Sequence, residues 1–429
     1  MKIGINASFL RKQNTGIGQV TANFIKKLAE FQISNLAYRQ AGFKFQNQEV
    51  EFILYLEEDV DLELPDNFKR NVFLPKYKRD DLIRKVWWEK CLLPKKIKED
   101  KCDVFLSLYQ CPTTLSKKAV SEHLMLVHDI IPKFFPNYLD NFRKKIYWKL
   151  TERAIRQADR IIVVSKRTEK DLVQHLRIDP KNITVSYVAA DEIYEKEVSE
   201  RDCQVVMEKY GLEKGYIYSG GGLEVRKNVE GTIRAYKILL DQNKDMFAKL
   251  KNIPPLVISG KLMPELAPLV TDAQALVKSM ELEGKVKLLG FVPQEDLPAL
   301  YRNSVLFCYP SFYEGFGLPV LEAMHQGVPV LTSKKSSLPE VGGDGVLYCE
   351  PSDVEEIARV MKKILLDENM RRMLSEKGKK RSGNFSWNKF TEKILNIIDG
   401  GSHKLKAGNV PQASHPVLDK LKNPFKRGN

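Results

Sequence analysis

The stretch VLFCYPSFYEGFGLPVLEAMHQGVPVLTS, residues 305–333, decides the fold because it contains a strand, a turn, a helix and a second strand. Apolar runs at 305–310 and 328–333 predict two buried strands. Glycines between them predict a flexible turn. Pro319 favours a helix start, because its missing N–H would be unpaired there anyway. A helix over 319–326 between two such strands predicts one crossover unit of a parallel sheet.

The same alternation of strand and helix continues through most of the chain. Predicted strands lie at 1–8, 51–56, 102–108, 123–129, 160–165, 182–187, 215–221, 255–260, 285–290, 305–310, 328–333 and 345–350. Predicted helices lie at 17–30, 81–99, 139–158, 165–175, 228–241, 264–281, 294–302, 319–326 and 353–380. This order predicts an α/β protein with two doubly wound parallel sheets.

The alternation of strands and helices divides the chain into two domains. We predict an N-terminal domain over 1–190, a polar linker over 191–212 and a C-terminal domain over 213–384. An amphipathic helix over 385–399 is predicted to cross the domain boundary. Residues 400–429 contain Gly, Pro, Ser and Lys without periodicity, which predicts a basic, mobile tail.

Composition limits the class of protein. The 429 residues are 43% hydrophobic and 29% charged, as expected of a globular chain. No apolar run approaches the ~20 residues that span a bilayer. The start MKIGINASFL lacks a signal peptide's apolar core and reads as a strand. The six cysteines form no CxxC pair, which favours reduced thiols and a cytoplasmic protein.

The net charge of +14 is unevenly distributed. Residues 1–190 carry 34 Lys and Arg against 23 Asp and Glu, whereas residues 191–400 carry 29 against 31. A basic first half and a nearly neutral second half predict that the first half binds an anionic partner or surface.

Two basic segments of the first half also contain tryptophan. The segments are 76–98, with Trp87 and Trp88, and 142–156, with Trp148. One interpretation is aromatic core beside a solvated charged face. The other is an interfacial surface that holds the protein on anionic lipid at a membrane face.

Glu314 and Glu322 stand eight positions apart in an otherwise apolar, glycine-rich run. Glu314 is predicted to lie in the crevice above the carboxyl ends of the strands, where open α/β sheets bind ligands. Glu322 is predicted to face away from the sheet within the first helical turn, near exposed backbone N–H groups. Spacing alone leaves two interpretations open. The glutamates are charges on the solvent-exposed face of a helix start, or they are two carboxylates that bind hydroxyl groups of a ligand.

The segments EGFGLPVLEAM (314–324) and GVPVLTSKKSSLPEVGGDG (327–345) resemble the signature of retaining GT-B glycosyltransferases, called group 1 or family 4. This resemblance implies two Rossmann-like domains facing across a cleft, a nucleotide-diphosphate sugar donor and no metal. It further implies that Glu322 holds the nucleotide ribose and that Glu314 lies by the transferred sugar. The backbone of Phe316, Gly317 and Leu318 is expected to contact the sugar or the diphosphate.

The run SGGGLEVRKN combines a glycine loop with two cations before a predicted helix. Gly220 and Gly221 would let backbone amides approach phosphate oxygens, and Arg226 and Lys227 would neutralise a leaving diphosphate. An ordinary basic loop is the alternative on the residues alone, whereas the resemblance implies the phosphate role. Many relatives carry an arginine where this chain has Gly222, and Arg226 is predicted to substitute for it.

A third glycine loop, NTGIGQVTANFIKKL, opens a helix after the first strand. Gly16 and Gly18 lack a third glycine two residues later, so the loop is a poor dinucleotide fingerprint and reads equally as a tight turn. The resemblance implies that this loop faces the donor diphosphate, with Gly16 the first choice and Gly18 the second.

Two further motifs end predicted strands. His128 ends LMLVHD, and the resemblance implies a position beside the donor sugar, where we favour a positioning role over a general base. A structural histidine is the alternative. Val292 lies in GFVPQEDL, a plain turn by its residues, and the resemblance implies that its backbone lines the nucleobase pocket.

The pair Asp59 and Asp61 forms an Asp-x-Asp, the metal signature of the other major glycosyltransferase fold. It lies in the acidic run EEDVDLELPD after an edge-like strand, so we interpret it as a solvated loop. No cluster of His and Cys suggests a metal site elsewhere.

These observations favour a hexosyltransferase with the active site between two domains. The favoured donor is GDP-mannose, because the GIG loop and the HDIIP segment look like those of bacterial polysaccharide mannosyltransferases. The expected acceptor is a glycan or a polyprenyl-diphosphate-linked glycan, at the cytoplasmic membrane face. The alternatives are a GT-B epimerase or phosphorylase, and a basic nucleic-acid-binding protein, for which no reader helix or zinc motif is present.

Overall fold

The computed structural model describes residues 1–33, 50–75, 81–242 and 253–400. The chain forms two compact units. Of the described residues, the first unit contains those within 1–132 and 139–188 together with 386–400, and the second contains 133–138 and those within 189–385.

The first unit is built on a seven-stranded sheet with the order β3-β2-β1-β4-β5-β6-β7. Its strands are β1 (Lys2–Asn6), β2 (Glu51–Leu56), β3 (Phe68–Val72), β4 (Val104–Ser107), β5 (Glu122–Val127), β6 (Arg160–Val163) and β7 (Ile183–Val185). All neighbouring strands are parallel, and Ile3 of β1 is in register with Phe52 of β2 and Val104 of β4. The strand order reverses between β1 and β4, so the loops after these strands turn to opposite sides.

Helices cover this sheet because each buries one apolar face. They include Gly16–Ile33, Asp81–Trp87, Leu93–Glu99, Phe142–Gln157, Lys166–Asp171 and Trp387–Ile398. Helix Gly16–Ile33 packs against helix Trp387–Ile398, where the Phe24 and Phe390 rings lie 5.9 Å apart edge to face. A turn of π-helix, Trp88–Leu92, joins Asp81–Trp87 to Leu93–Glu99 and buries Trp88 completely.

The second unit is built on a six-stranded parallel sheet with the order β10-β9-β8-β11-β12-β13. Its strands are β8 (Tyr216–Ser219), β9 (Leu256–Ile258), β10 (Val286–Leu288), β11 (Ser304–Tyr309), β12 (Val330–Ser333) and β13 (Leu347–Cys349). Its helices include Glu200–Tyr210, Val229–Asp241, Ala273–Ser279, Leu297–Arg302, Leu318–His325, Leu338–Gly342, Val354–Leu366 and Glu368–Ser382. The strand order reverses between β8 and β11.

The predicted fold class is confirmed, and the twelve predicted strands all form, but β3 was missed. Its sequence FKRNV has one buried residue, Phe68, and mostly solvated side chains. An edge strand of this kind carries charge instead of an apolar run, so hydrophobic periodicity does not detect it. The helix predicted over 353–380 is in fact two helices, which meet at Asp367.

The predicted linker over 191–212 is wrong. These residues belong to the second unit and contain helix Glu200–Tyr210, which Ser199 caps through the Asp202 N–H. Tyr194 is fully buried, and its carbonyl accepts a hydrogen bond from Gln326 Nε2 at 2.7 Å. Polar composition suggested a linker because the buried face of this segment is narrow.

The chain enters the first unit again at residue 386, where helix Trp387–Ile398 follows. The tail predicted at 400–429 lies outside the described residues from 401 onward. In the parts of the chain that the structure describes, no helix combines the length and the apolar character needed to cross a membrane.

The two glycines of the first helical loop differ in how much room surrounds them. A Cβ on Gly18 would overlap the Lys12 carbonyl oxygen and lie 2.9 Å from Gln13 Cα, whereas a Cβ on Gly16 would meet nothing within 4 Å. We therefore expect Gly18→Ala to destabilise the protein by about 2 kcal/mol or more, and Gly16→Ala by less than about 0.5 kcal/mol. Chemical denaturation of both variants measures this difference. Equal stabilities would contradict the close approach at Gly18.

Candidate active site

The predicted donor-binding residues of the second unit follow the carboxyl ends of its strands. Gly220 and Gly221 follow β8, Val292 follows β10, and Glu314 follows β11. Because β8 and β11 are neighbours at the reversal of strand order, their loops flank the crevice where such sheets bind ligands.

Glu314 is the most heavily bonded side chain in this crevice. Its Oε1 accepts hydrogen bonds from Tyr309 Oη at 2.6 Å and from Ser311 Oγ at 3.0 Å. Its Oε2 pairs with Arg226 Nη1 at 2.6 Å. Burial, with the Glu314 charge, raises the pKa of Tyr309 well above its ordinary value, so the hydroxyl remains a donor. The glutamate is thus fixed by three protein groups.

Arg226 and Lys227 lie in one 3₁₀ turn, Val225–Lys227, and both side chains are largely buried. The Arg226 carbonyl accepts hydrogen bonds from Phe312 N at 2.7 Å and Ser311 Oγ at 2.9 Å, which ties the loop after β8 to the loop after β11. Lys227 Nζ donates to the Gly221 carbonyl and pairs with Glu224 Oε2 at 3.0 Å.

Glu224 holds the two cations from the other side of the turn. Burial alone would raise the pKa of Glu224, but Lys227 and Arg226 outweigh it and keep this pKa below its usual range. Without a ligand, Glu224 and Glu314 therefore balance the charges of Arg226 and Lys227. A diphosphate that enters would meet cations already in place and need not order them.

The glycine loop is shaped by positive φ angles. Gly221 has φ +97° and Gly222 has φ +112°, conformations that side chains rarely adopt. A Cβ on Gly222 would lie 2.5 Å from Glu224 Oε2 and 2.9 Å from Lys227 Nζ. A side chain at position 222 would therefore be strained at this φ and would require the ends of the Glu224 and Lys227 side chains to move.

The helix after Glu314 begins with unpaired amides. Gly317, with φ +119°, precedes helix Leu318–His325 and has no side chain to cap it. Within the described residues, the amides of Gly317 and Leu318 form no hydrogen bond. The Phe316 carbonyl accepts from Ser337 Oγ at 2.6 Å, which fixes this turn. Two donors at a helix N-terminus are thus available to an anionic oxygen.

Glu322 lies in the second turn of this helix, not in the first as predicted. It does not face solvent, because it is 5% exposed and its Oε2 accepts from Tyr301 Oη at 2.9 Å. Burial raises the pKa of Glu322 to about 7, Tyr301 and Lys227 oppose this shift, and Asp191 adds to it. The interpretation of a charge on a wet helix face is wrong.

Val292 is buried at the start of the turn after β10. Gly290, with φ +69°, turns the chain there, and its carbonyl accepts from Gly260 N at 2.8 Å. Phe291 beside it is 55% exposed. A role in a nucleobase pocket stays a prediction.

His128 lies in the first unit, directly after β5, and Gly16 and Gly18 lie in the same unit, in the first turn of helix Gly16–Ile33. Its Nε2 lies 2.9 Å from the Leu108 carbonyl, so this nitrogen carries the proton and donates. Burial lowers the pKa of His128 to about 4, and the Leu108 bond opposes this. A neutral imidazole anchored to a backbone carbonyl suits positioning better than proton abstraction.

Several residues that shape the site were not predicted. Tyr309 and Ser311 bond Glu314, Glu224 holds the cations, and Tyr301 bonds Glu322. Tyr309 and Ser311 lie within five residues of Glu314 in the sequence, at the end of a strand. This proximity of two hydroxyl side chains to the carboxylate could have predicted their hydrogen bonds.

The interpretation of Asp59 and Asp61 as a solvated loop is confirmed. Both residues are exposed, and Asp59 Oδ1 pairs with Arg70 Nη1 at 3.1 Å.

Comparison with known proteins identifies the family. Residues 16–192 match the family model described as Glycosyltransferase Family 4, and residues 204–381 match Glycosyl transferases group 1. The chain is 30% identical over 397 residues to O-antigen chain mannosyltransferase B of Escherichia coli, covering 92% of this chain and 99% of that protein. It is 35% identical over 268 residues to the serotype-specific mannosyltransferase WbdA of Escherichia coli, covering 61% of this chain and 31% of that protein.

Solved structures agree on the fold. WaaG, a glycosyltransferase involved in lipopolysaccharide biosynthesis, has a TM-score of 0.67 at 18% identity and covers 94% of this chain and 100% of its own. HepE of Anabaena, solved with UDP-glucose, has a TM-score of 0.65 at 16% identity, covering 93% and 100%. The chain therefore belongs to the group 1, family 4 glycosyltransferases, which have the GT-B fold.

Proposed function

We propose that this chain transfers a mannosyl group from GDP-mannose to a hydroxyl of a glycan, or of a polyprenyl-diphosphate-linked glycan, with retention and without a metal. The transfer would serve the synthesis of a cell-surface polysaccharide. One observation carries this proposal: buried Glu314 is fixed beside Arg226, Lys227 and the unpaired amides of Gly317 and Leu318. The naming of its relatives as O-antigen mannosyltransferases supports the sugar.

The reaction breaks the bond between the anomeric carbon and the phosphate, so negative charge develops on the leaving diphosphate. Lys227, Arg226 and the amides of Gly317 and Leu318 are donors that stabilise that charge without reorganising. An oxygen of the same diphosphate takes the acceptor's proton, which removes the need for a protein base. His128, neutral and anchored, positions the sugar.

The two glutamates have different duties. Glu314, already bonded to Tyr309, Ser311 and Arg226, is a rigid acceptor for a sugar hydroxyl and keeps Arg226 oriented. Its charge is paired with Arg226, which weakens it as a covalent nucleophile, while Oε2 keeps a lone pair for one more donor. Glu322 accepts hydrogen bonds from the ribose hydroxyls.

A donor screen tests the proposed transfer. The protein is incubated with GDP-mannose, UDP- and dTDP-linked hexoses and a lipid-linked glycan acceptor, and products are detected by mass spectrometry. GDP-mannose is expected to give the product, and NMR of the anomeric proton is expected to report retention. A clear preference for another nucleotide sugar would overturn the donor, and isomerised donor in the acceptor-free control would reveal an epimerase.

The first unit carries a surface suited to an anionic membrane. All six large apolar side chains exposed in its described part lie between residues 72 and 146, and Trp87 and Phe142 are 55% and 75% exposed. Helix Phe142–Gln157 carries two of the six, Phe142 and Ile146, beside exposed cations that include Arg143 and Lys145. Trp88 and Trp148 are buried, so the core interpretation holds for them. We propose that this surface holds the enzyme on anionic lipid.

Vesicle flotation at low salt tests membrane attachment. The protein is expected to float with vesicles that contain anionic phospholipid and not with neutral ones. The double variant Trp87→Ser, Phe142→Ser should lose most binding, whereas Val205→Ser, a change at a similarly exposed position of the second unit, should not. Equal binding by both variants would reject the surface.

A further inference from the structure

The sheet of the first unit has its own reversal of strand order, between β1 and β4. The 3₁₀ turn Ser8–Lys12 follows β1, and Tyr109 follows β4. Helix Asp81–Trp87 brings Lys85 to the same place, since Lys85 contacts both loops. In an open α/β sheet this edge is the expected ligand crevice. Gly16 and Gly18 lie further along the segment after β1, but the side chains of Lys12, Lys85 and Tyr109 have no role assigned so far.

Lys85 is held there by an aromatic cage. Its ammonium lies 4.9 Å from the Phe9 ring centroid, 5.3 Å from that of Tyr109 and 5.4 Å from that of Tyr147. It makes no hydrogen bond within the described residues, and its side chain is 24% exposed. Rings attract a cation without forming conventional hydrogen bonds with its N–H groups.

Glu89 lies beneath this cage and fixes it. The carboxylate is fully buried, 3.8 Å from Lys85 Nζ, and accepts from Tyr109 Oη at 2.6 Å and Tyr147 Oη at 3.0 Å. Burial raises the pKa of Glu89, while Lys85 and the two tyrosines oppose that shift. Such a network immobilises Lys85 without using its hydrogen-bond donors.

Two further cations adjoin Lys85. Arg11 pairs with buried Glu57 at 3.1 Å. The Lys12 carbonyl accepts from Thr15, but the Lys12 ammonium has neither an ion pair nor a hydrogen bond within the described residues. Desolvation, followed by Arg11 and Lys85, lowers the pKa of Lys12, although much of that residue is exposed. Like charges held within reach of one another cost free energy, which a bound anion would offset.

Arg11 and Lys85 each have a buried carboxylate partner, whereas Lys12 has none within the described residues. Here Glu57 and Glu89 lie buried beneath Arg11 and Lys85, and the free donors of Lys12 and Lys85 are on the accessible side. The arrangement therefore matches a preorganised site for phosphate oxygens better than a solvated charged face.

We propose that Lys12 and Lys85 form an anion subsite at the carboxyl edge of the first unit, which binds the phosphate groups of the acceptor. This assignment to the acceptor rests on the proposed function, in which the acceptor is linked to a diphosphate. The subsite would give the basic charge of the first half a specific role. The enzyme would bind the anionic carrier of the acceptor as well as the sugar hydroxyl that it glycosylates.

Calorimetric titration with inorganic diphosphate tests the subsite directly. Diphosphate is titrated into the full-length protein with and without saturating GDP. With GDP present, one diphosphate site is expected to remain, and Lys12→Met, Lys85→Met should weaken it by about tenfold to hundredfold. The control Lys95→Met, at a 73% exposed lysine of the same helical run, should bind like the parent. An unchanged affinity in the double variant, or complete exclusion of diphosphate by GDP, would overturn the subsite whichever sugar is transferred.

Steady-state kinetics then separates an acceptor phosphate from the donor diphosphate. In the double variant, KM for a polyprenyl-diphosphate-linked acceptor should rise about tenfold or more, with KM for a neutral alkyl glycoside acceptor unchanged. KM for the nucleotide sugar should also be unchanged. A rise confined to the donor KM would show that the two lysines serve the donor. Absence of transfer by the parent protein would count against the proposed function alone, since the titration does not depend on turnover.

Discussion

Arg226→Ala is expected to lower kcat by about 10²–10³-fold and to destabilise the protein by about 3 kcal/mol. The stability loss arises because Glu314 would keep its buried charge and lose the guanidinium 2.6 Å away. In the proposed mechanism, the loss of rate arises because charge that develops on the leaving diphosphate would lose one of its two cations. Chemical denaturation measures the first effect, and single-turnover kinetics with the nucleotide sugar measures the second.

A double variant separates the two effects. Arg226→Met with Glu314→Gln removes both charges, and the amide oxygen introduced in place of the carboxylate can still accept from Tyr309 and Ser311. Stability should return to within about 1 kcal/mol of the parent, because replacing both partners of a buried pair is often neutral. Turnover should stay as low as in Arg226→Ala. Recovery of turnover along with stability would mean that the ion pair only supports the fold.

Glu322 is expected to make both stability and nucleotide binding depend on pH near neutrality. Burial raises its pKa to about 7, so between about pH 5 and 7 the folded state holds a proton that the unfolded state has lost. Stability contributed by this group should therefore fall as pH rises through that window, by up to about 3 kcal/mol. Ribose hydroxyls donate to an ionised carboxylate, so GDP affinity should rise over the same window, with a proton released on binding below pH 7.

Glu322→Gln provides the matched test. The variant should unfold without this pH dependence, be more stable than the parent above pH 7, and bind GDP about tenfold more weakly at pH 8. Calorimetry in two buffers of different ionisation enthalpy reports the released proton. A parent protein whose GDP affinity is flat between about pH 5.5 and 8 would show that Glu322 does not titrate in the binding step.

The fold was largely predictable because its strands are continuous apolar runs between helical patterns, as parallel sheets require. β3 escaped because FKRNV lies at the sheet edge, where charged side chains are favoured over apolar ones. Helix Glu200–Tyr210 was not predicted, because the rest of its surface is polar and only three of its residues are buried. These are Cys203, Val206 and Met207.

The site was predictable only to the level of individual residues. Local motifs identify Glu314, Arg226 and Lys227. The ion pair between Arg226 and Glu314, however, joins the loop after β8 to the loop after β11, and the two residues are 88 positions apart in the sequence. The burial of Glu322 depends on Tyr301, which comes from a different helix. Such distances are set by strand order, and local sequence patterns carry no information about them.

The path of the chain has a consequence for how the protein is made. The first unit is complete only when helix Trp387–Ile398 covers helix Gly16–Ile33, and that helix leaves the ribosome after the entire second unit. During synthesis, therefore, the side of helix Gly16–Ile33 that includes Phe24 remains uncovered until the helix that begins at Trp387 has been made. The last strand of the first sheet ends much earlier, at Val185. The nascent first half therefore exposes apolar surface around Phe24 until that helix emerges, and a polypeptide that ended before residue 386 would lack this contact.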